Sequence, residues 1–287
     1  MLVKSYSFKQ NSWLNCEIIK NSRGERLMRP DFDEIGFLGQ QIDDIMESYL
    51  KENTDVFELI EEISLFGNQA KYKLNVQANE RRFIASASLY LKVLNCFQST
   101  IILAKKGLGV ECAILTRSLL EAVFPLKIMS SNKEFTEEFF GSNHKSMQLK
   151  WLNAIFTKDT FINNRTKANE ELREILQKEK LEDKIRDFKV EELASRADME
   201  SYYQYVYRVL SDDVHTTPFS LYSYINTDNN DNIVSFNNGP ITRDLKDYVL
   251  TSASIVLIAL ESISEIFDLN FDDKIKCFDD RISKIWQ

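Results

Sequence analysis

Tight turns are scarce in this chain. With 8 Gly and 4 Pro among 287 residues, few positions accept the positive φ, or supply the fixed φ, that closes a hairpin or turns a barrel corner. A sandwich or barrel needs a turn signal roughly every 8–12 residues. The chain therefore reads as all-α, a multi-helix bundle of long helices joined by short connections. Hydrophobic residues make up 44% of it and include 19 Phe, which is enough apolar surface for a large core.

Hydrophobic periodicity lays out the helices. Residues 1–30 mix aromatic and polar side chains without a period, and Asn21-Ser-Arg-Gly24 reads as a turn between two extended pieces. This stretch is an N-terminal appendage to one helical bundle domain spanning 31–287. From Asp31, the residues Ile35, Leu38, Ile42, Ile45 and Tyr49 recur at helical spacing, and a second helix covers about 55–66. A long helix over about 72–106 carries a stripe of Ile84, Ala87, Leu91, Leu94, Gln98 and Ile101. Gly107 and Gly109 then turn the chain, and a helix over about 110–130 returns antiparallel to the first. Another helix or pair of helices occupies 132–162, and the charge-dense stretch between Arg165 and Glu200 reads as a solvated helix pair. One small β-hairpin, about 221–236, is inserted before the penultimate long helix. Thr242 is the expected cap of that helix, whose core stripe is Leu245, Val249, Ser252, Val256, Ala259 and Ile263. A last helix carries Ile275, Phe278, Ile282 and Ile285.

A net charge of -8 argues against a general binder of long duplexes, whose affinity comes from neutralising many phosphates. A compact RNA feature gripped by a few basic groups stays compatible with it. Cys16, Cys96, Cys112 and Cys277 are scattered without a Cys-x-x-Cys spacing and read as reduced, buried thiols. With two His in the chain, they argue against a zinc site, while carboxylate-held magnesium stays open. The Asn226–Asn232 tip lacks the glycine and glutamate that a calcium loop needs. No cofactor and no metal are called for. The first residues lack the apolar core of a signal peptide, and the longest apolar stretch, Tyr248–Leu260, is interrupted by Thr251, Ser252 and Ser254. The expectation is a cytoplasmic protein with no membrane association.

His144 has no acid or nucleophile at useful spacing and reads as a surface residue. His215 is different. In a helix, Arg208 and His215 lie two turns apart on one face, with Ser211 and Asp212 between them. Pro218 ends the helix and leaves His215 near its C-terminus, where the dipole favours the imidazolium. An imidazole that exchanges a proton near neutral pH beside a permanent cation suits phosphodiester chemistry, the His moving protons and the Arg holding the phosphate. The competing reading is a His bonded to the following loop and an Arg208 paired with Asp212. Tyr202, Tyr203, Tyr205 and Tyr207 lead into this stretch, as core residues with polar tips or as platforms for bases.

The helix around Arg117-Ser-Leu-Leu-Glu121 is apolar on nearly every side, so a charged pair one turn apart stands out in it. The Arg-first order is the weaker one for stabilising an isolated helix, and a buried ion pair is a poor device for stability. Pro125 also removes the N–H that would bond the Glu121 carbonyl. Two readings follow: an ion pair that sets helix register, or a second wall of the Arg208/His215 site.

Arg117-Ser-Leu-Leu-Glu121, then Tyr207-Arg-Val-Leu-Ser211-Asp-Asp-Val-His215, a short hairpin and a long helix resembles the bacterial proteins grouped as domain of unknown function 5677, over roughly residues 70–270. The Arg208-x6-His215 spacing is also similar to that of the HEPN superfamily (higher eukaryotes and prokaryotes nucleotide-binding), helical proteins that include metal-independent ribonucleases of toxin and antiphage systems. That resemblance implies a homodimer whose site takes Arg208 and His215 from both subunits, with RNA as substrate and a cognate antitoxin or defence-system protein as partner. Tyr207, Ser211, Asp212, Arg117 and Glu121 are the expected supporting residues. The alternative is a non-catalytic helical module that binds a nucleotide or a protein; a purely structural dimerisation domain ranks third.

Overall fold

Helices carry the chain in the computed structural model, which describes residues 32–287 apart from 183, 186, 215, 216 and 219, and apart from the side chains of residues 143 and 213. It also describes two short strands, β1 (Ile19–Lys20) and β2 (Arg26–Leu27), which pair antiparallel. They bracket the turn expected at Asn21–Gly24, which itself lies outside the described residues, as do Cys16 and His215. The helices are α1 (Phe32–Ile35), α2 (Gln41–Glu52), α3 (Thr54–Ala70), α4 (Arg81–Lys105), α5 (Gly109–Ser131), α6 (Phe135–Thr157), α7 (Lys167–Leu181) and α8 (Val190–Arg196). After them come α9 (Glu200–Tyr202), a π-helical segment Tyr203–Tyr207 and α10 (Arg208–Val214). Strands β3 (Ile225–Thr227) and β4 (Ile233–Phe236) form the expected hairpin, followed by α11 (Leu245–Phe267) and α12 (Asp272–Trp286). The hairpin is shorter than expected, because Leu221 lies in a 3₁₀ turn, Ser220–Tyr224, ahead of the first strand.

The bundle is built on α4, α5 and α11, whose mutual packing is the most extensive in the protein. Helix α5 buries Ala113, Leu119, Leu120, Val123 and Phe124 completely, as expected of a helix apolar around its circumference. It runs through Pro125 to Ser131, and Arg82 of α4 donates to its last carbonyls, Met129 at 2.9 Å and Ser130 at 3.0 Å. Gly107 makes the α4–α5 turn with φ +71, and a Cβ there would meet Pro240 at 2.5 Å. The Ile241 N–H bonds the Gly107 carbonyl at 2.8 Å, and Gly109 lies against the Ile241 carbonyl. Both glycines thus admit the close approach of the chain that leads into α11.

The core stripe of α11 is as expected, with Leu245, Val249, Ser252, Val256, Ala259 and Ile263 all buried, and in α12 Phe278 and Ile282 are buried. Five expectations change. Helix α4 starts at Arg81 rather than near Tyr72, after a 3₁₀ turn at Lys71–Lys73 and an irregular stretch. Its buried face runs through Ser86, Tyr90, Val93, Phe97, Thr100 and Ala104, so Ile84 and Leu91 from the expected stripe are exposed. Leu38 is 95% exposed because Gly36, at φ +64, breaks the first helical pattern into α1, a 3₁₀ turn and α2. Thr242 does not cap α11; Asp244 holds that position without a side-chain bond. Cys277 is exposed, whereas Cys112 is buried and Cys96 half-buried.

A smaller apolar cluster of Leu149, Leu152, Ile155, Leu176 and Ile185 joins the end of α6 to α7. His144 is exposed on α6. By length and composition, α4 and α11 are apolar enough to cross a membrane, but the apolar window of α11 is 72% buried inside the bundle, the pattern of a core helix.

Candidate functional site

The tyrosine-rich stretch forms one helical run, α9, the π-helical segment and α10. A π-segment inserts an extra residue into the turn and resets which side chains face inward. Here Tyr207 and Leu210 are 8% and 3% exposed, with Ser211 and Val214 half-buried behind them. Arg208 and Asp212, one turn apart, are exposed on the other side. The rings of Tyr203 and Tyr207 stack at 5.4 Å with 19° between their planes.

The inward side of this run packs on α5, and Tyr207 meets the charged pair there. Its hydroxyl accepts from Arg117 Nη2 at 2.6 Å and donates to Glu121 Oε1 at 3.0 Å. Arg117 Nη2 is also 3.3 Å from Glu121 Oε1, and the guanidinium lies 4.7 Å from the centre of the Tyr207 ring. The Arg117 side chain is 15% exposed and that of Glu121 38%. The buried Arg117 Nε has no partner among the described residues. Burial pushes the Tyr207 hydroxyl above its ordinary range; Arg117 opposes the shift and Glu121 adds to it. The hydroxyl therefore stays protonated at neutral pH, as its two roles require.

Arg208 is placed differently. Its Nη1 donates to Gln204 Oε1 at 2.9 Å, an exposed and uncharged partner, and it makes no ion pair among the described residues. The expected competitor, a pairing with Asp212, does not form; the guanidinium reaches back one turn instead. The residue is exposed and Gln204 engages one nitrogen of its fork, a group that takes a phosphate or carboxylate bidentately. Ser211 is half-buried where Arg208 and Asp212 are exposed, and its hydroxyl is spent on the Tyr207 carbonyl at 2.6 Å. Among the described residues, no group of three or more His, Cys, Asp or Glu could hold a metal ion.

A protein-family model matches residues 83–233, from the start of α4 into the hairpin, and is described as a family of unknown function, DUF5677. The chain belongs to the DUF5677 family. No curated protein and no solved structure matches it. The DUF5677 match holds all seven residues singled out from the sequence, and the structure divides them. Arg117, Glu121 and Tyr207 meet directly, with Ser211 bonded to the Tyr207 backbone. Arg208 and Asp212 stand on the exposed side of the same run, and His215 lies outside the described residues. The α5 pair thus lies beneath the helix that carries Arg208, joined to it through Tyr207. Gln204 and the π-segment escaped sequence reading. The Tyr203–Tyr207 ring stack was not read from the sequence either, and nothing local marks a π-turn.

Proposed function

We propose that this DUF5677 protein is a HEPN-like, metal-independent endoribonuclease, a toxin or antiphage effector of the cytoplasm. In this reading Arg208 holds the scissile phosphate and His215 moves protons. The observation that carries it is the state of Arg208, a permanent cation exposed to solvent and bonded to neutral Gln204. Other arginines of the fold use two donors at once, Arg196 on Glu138 and Arg281 on Glu62, or Arg82 on two backbone carbonyls. Arg208 is open to an anion from outside. The Arg117–Tyr207–Glu121 cluster supports the reading by holding the underside of the Arg208 helix against α5.

The working unit in this reading is a homodimer. One helix face offers one imidazole and one guanidinium, whereas cleavage by 2′-hydroxyl attack uses one group to take a proton and another to give one. A two-fold contact brings a second copy of the same patch. Tyr205 and Val209, 79% and 62% exposed, supply apolar surface on the run for such a contact. The test is expression in a bacterial host with RNA sampled over time. The wild type is expected to arrest growth and cleave RNA, and Arg208→Ala and His215→Ala to do neither. A mixed dimer of the two variants regains part of the cleavage. Unchanged toxicity of His215→Ala, or full cleavage by a strict monomer, sinks the mechanism.

A second reading, a non-catalytic module that binds a nucleotide or a protein partner, draws on the same exposed Tyr205 and Val209. It expects no cleavage by the wild type, and loss of partner capture when both residues are made polar.

A further inference from the structure

Between the first turns of α4 and α6 lies a cavity of about 270 Å³, lined by Arg81, Ile84, Ala85, Ser88, Thr136 and Phe140. We infer that it binds a small aliphatic monocarboxylate, an assignment independent of the ribonuclease reading. Ile84 and Phe140, two exposed apolar side chains, line it with Ala85, and such walls call for hydrocarbon. Thr136 is 2% exposed, yet its Oγ1 has no hydrogen-bond partner among the described residues.

The chain explains why that hydroxyl is orphaned. A helical threonine ordinarily bonds the carbonyl four residues back. That residue, Asn132, is extended at φ -126 and ψ 102 where α5 ends, so its carbonyl is not aligned with α6. The Asn132 side chain is already taken by the N–H groups of Glu134 and Phe135, at 3.0 and 3.2 Å. Ser88, across the cavity, spends its proton on the Ile84 carbonyl at 2.8 Å. A buried hydroxyl without a partner is rare and costs stability. Thr136 lines the cavity, and in this proposal a 120° rotation about χ1 carries its hydroxyl from the buried staggered position to one that donates to the ligand.

The chemistry around it favours an acceptor. A carboxylate accepts only, and the N-terminal end of the 23-residue α6 carries the positive end of a helix dipole. Arg81 stands at the rim with Nη1 on Glu137 at 2.7 Å, both side chains largely exposed. An ion pair so exposed is weak and yields to a competing carboxylate. Glu138, the next acid on α6, is held by Arg196 at 2.7 and 3.1 Å. A short acid such as octanoate satisfies walls, hydroxyl and guanidinium together.

The experiment is calorimetric titration of octanoate, and of octanol as its neutral counterpart, into the full chain and into Thr136→Val and Ile84→Trp. Octanoate is expected to bind the wild type one to one and more tightly than octanol. Thr136→Val weakens it about tenfold, the loss of one hydrogen bond to a charged group, and Ile84→Trp abolishes it by filling the cavity. Thr136→Val keeps the side-chain shape and removes an unpaired hydroxyl, so its melting temperature is expected to rise. Equal affinity of octanoate for wild type and Thr136→Val, octanol binding as tightly as octanoate, or no binding at millimolar octanoate overturns the assignment. A lower melting temperature for Thr136→Val overturns the orphaned hydroxyl itself.

Discussion

The Arg117–Tyr207–Glu121 cluster makes an asymmetric prediction, because its two charges are unequally buried. Glu121→Leu leaves Arg117, 15% exposed, with the Tyr207 hydroxyl as its remaining acceptor and its Nε still unpaired. Stranding a charge that deeply is expected to cost roughly 3–5 kcal/mol. Arg117→Met strands Glu121 instead, but that carboxylate is 38% exposed and keeps the Tyr207 bond at 3.0 Å. A lost charged hydrogen bond of about 1.5–3 kcal/mol, discounted for solvent at Glu121, leaves about 1–2 kcal/mol. The double variant Arg117→Met with Glu121→Leu removes both charges and is expected to recover most of the loss, giving a large coupling energy. Urea unfolding reads all of this, provided the slope with denaturant is the same in each variant. An Arg117→Met variant as unstable as Glu121→Leu would refute the burial argument. So would a double variant less stable than either single one. The same double variant bears on function: stable and still toxic, it would remove both residues from the candidate site.

Three further outcomes are expected. Burial raises the Tyr90 hydroxyl, which donates to the Gly67 carbonyl at 2.9 Å. The fold thus favours the neutral phenol, and its contribution is complete below the ordinary tyrosine value of about 10 and is lost as pH climbs toward the raised one; Tyr90→Phe should flatten that alkaline decline in urea midpoint. Burial pushes the Cys112 thiol up to about 12, so a thiol reagent should label exposed Cys277 in the native protein and Cys112 only on unfolding. Labelling of both at equal rates would contradict the packing of α5. Gly107→Ala forces a side chain to φ +71 and against Pro240 at 2.5 Å, at a cost of roughly 1–3 kcal/mol, seen as a lowered melting temperature.

The sequence by itself determined the class of fold and much of its layout. Scarce glycine and proline with sustained helical periodicity leave few alternatives to a bundle, and Gly107 and Gly109 mark the α4–α5 turn because that conformation and approach exclude a Cβ. The stripe of α11 was legible because this helix is buried so broadly that nearly any apolar register on it is correct. Only the tertiary structure decided α4, where apolar residues occur on more than one face. Packing on α3, α5 and α11 selects Tyr90, Val93 and Phe97 for the interior and leaves Ile84 and Leu91 outside. At the candidate site, local pattern brought out Arg117, Glu121 and Arg208 as unusual but not how they are joined. Tyr207 reaches α5 across 86 and 90 residues of sequence, on a run whose register is set by a π-segment. Periodicity reports which residues share a face of one helix; which face meets which neighbour is settled by the packing of the whole bundle.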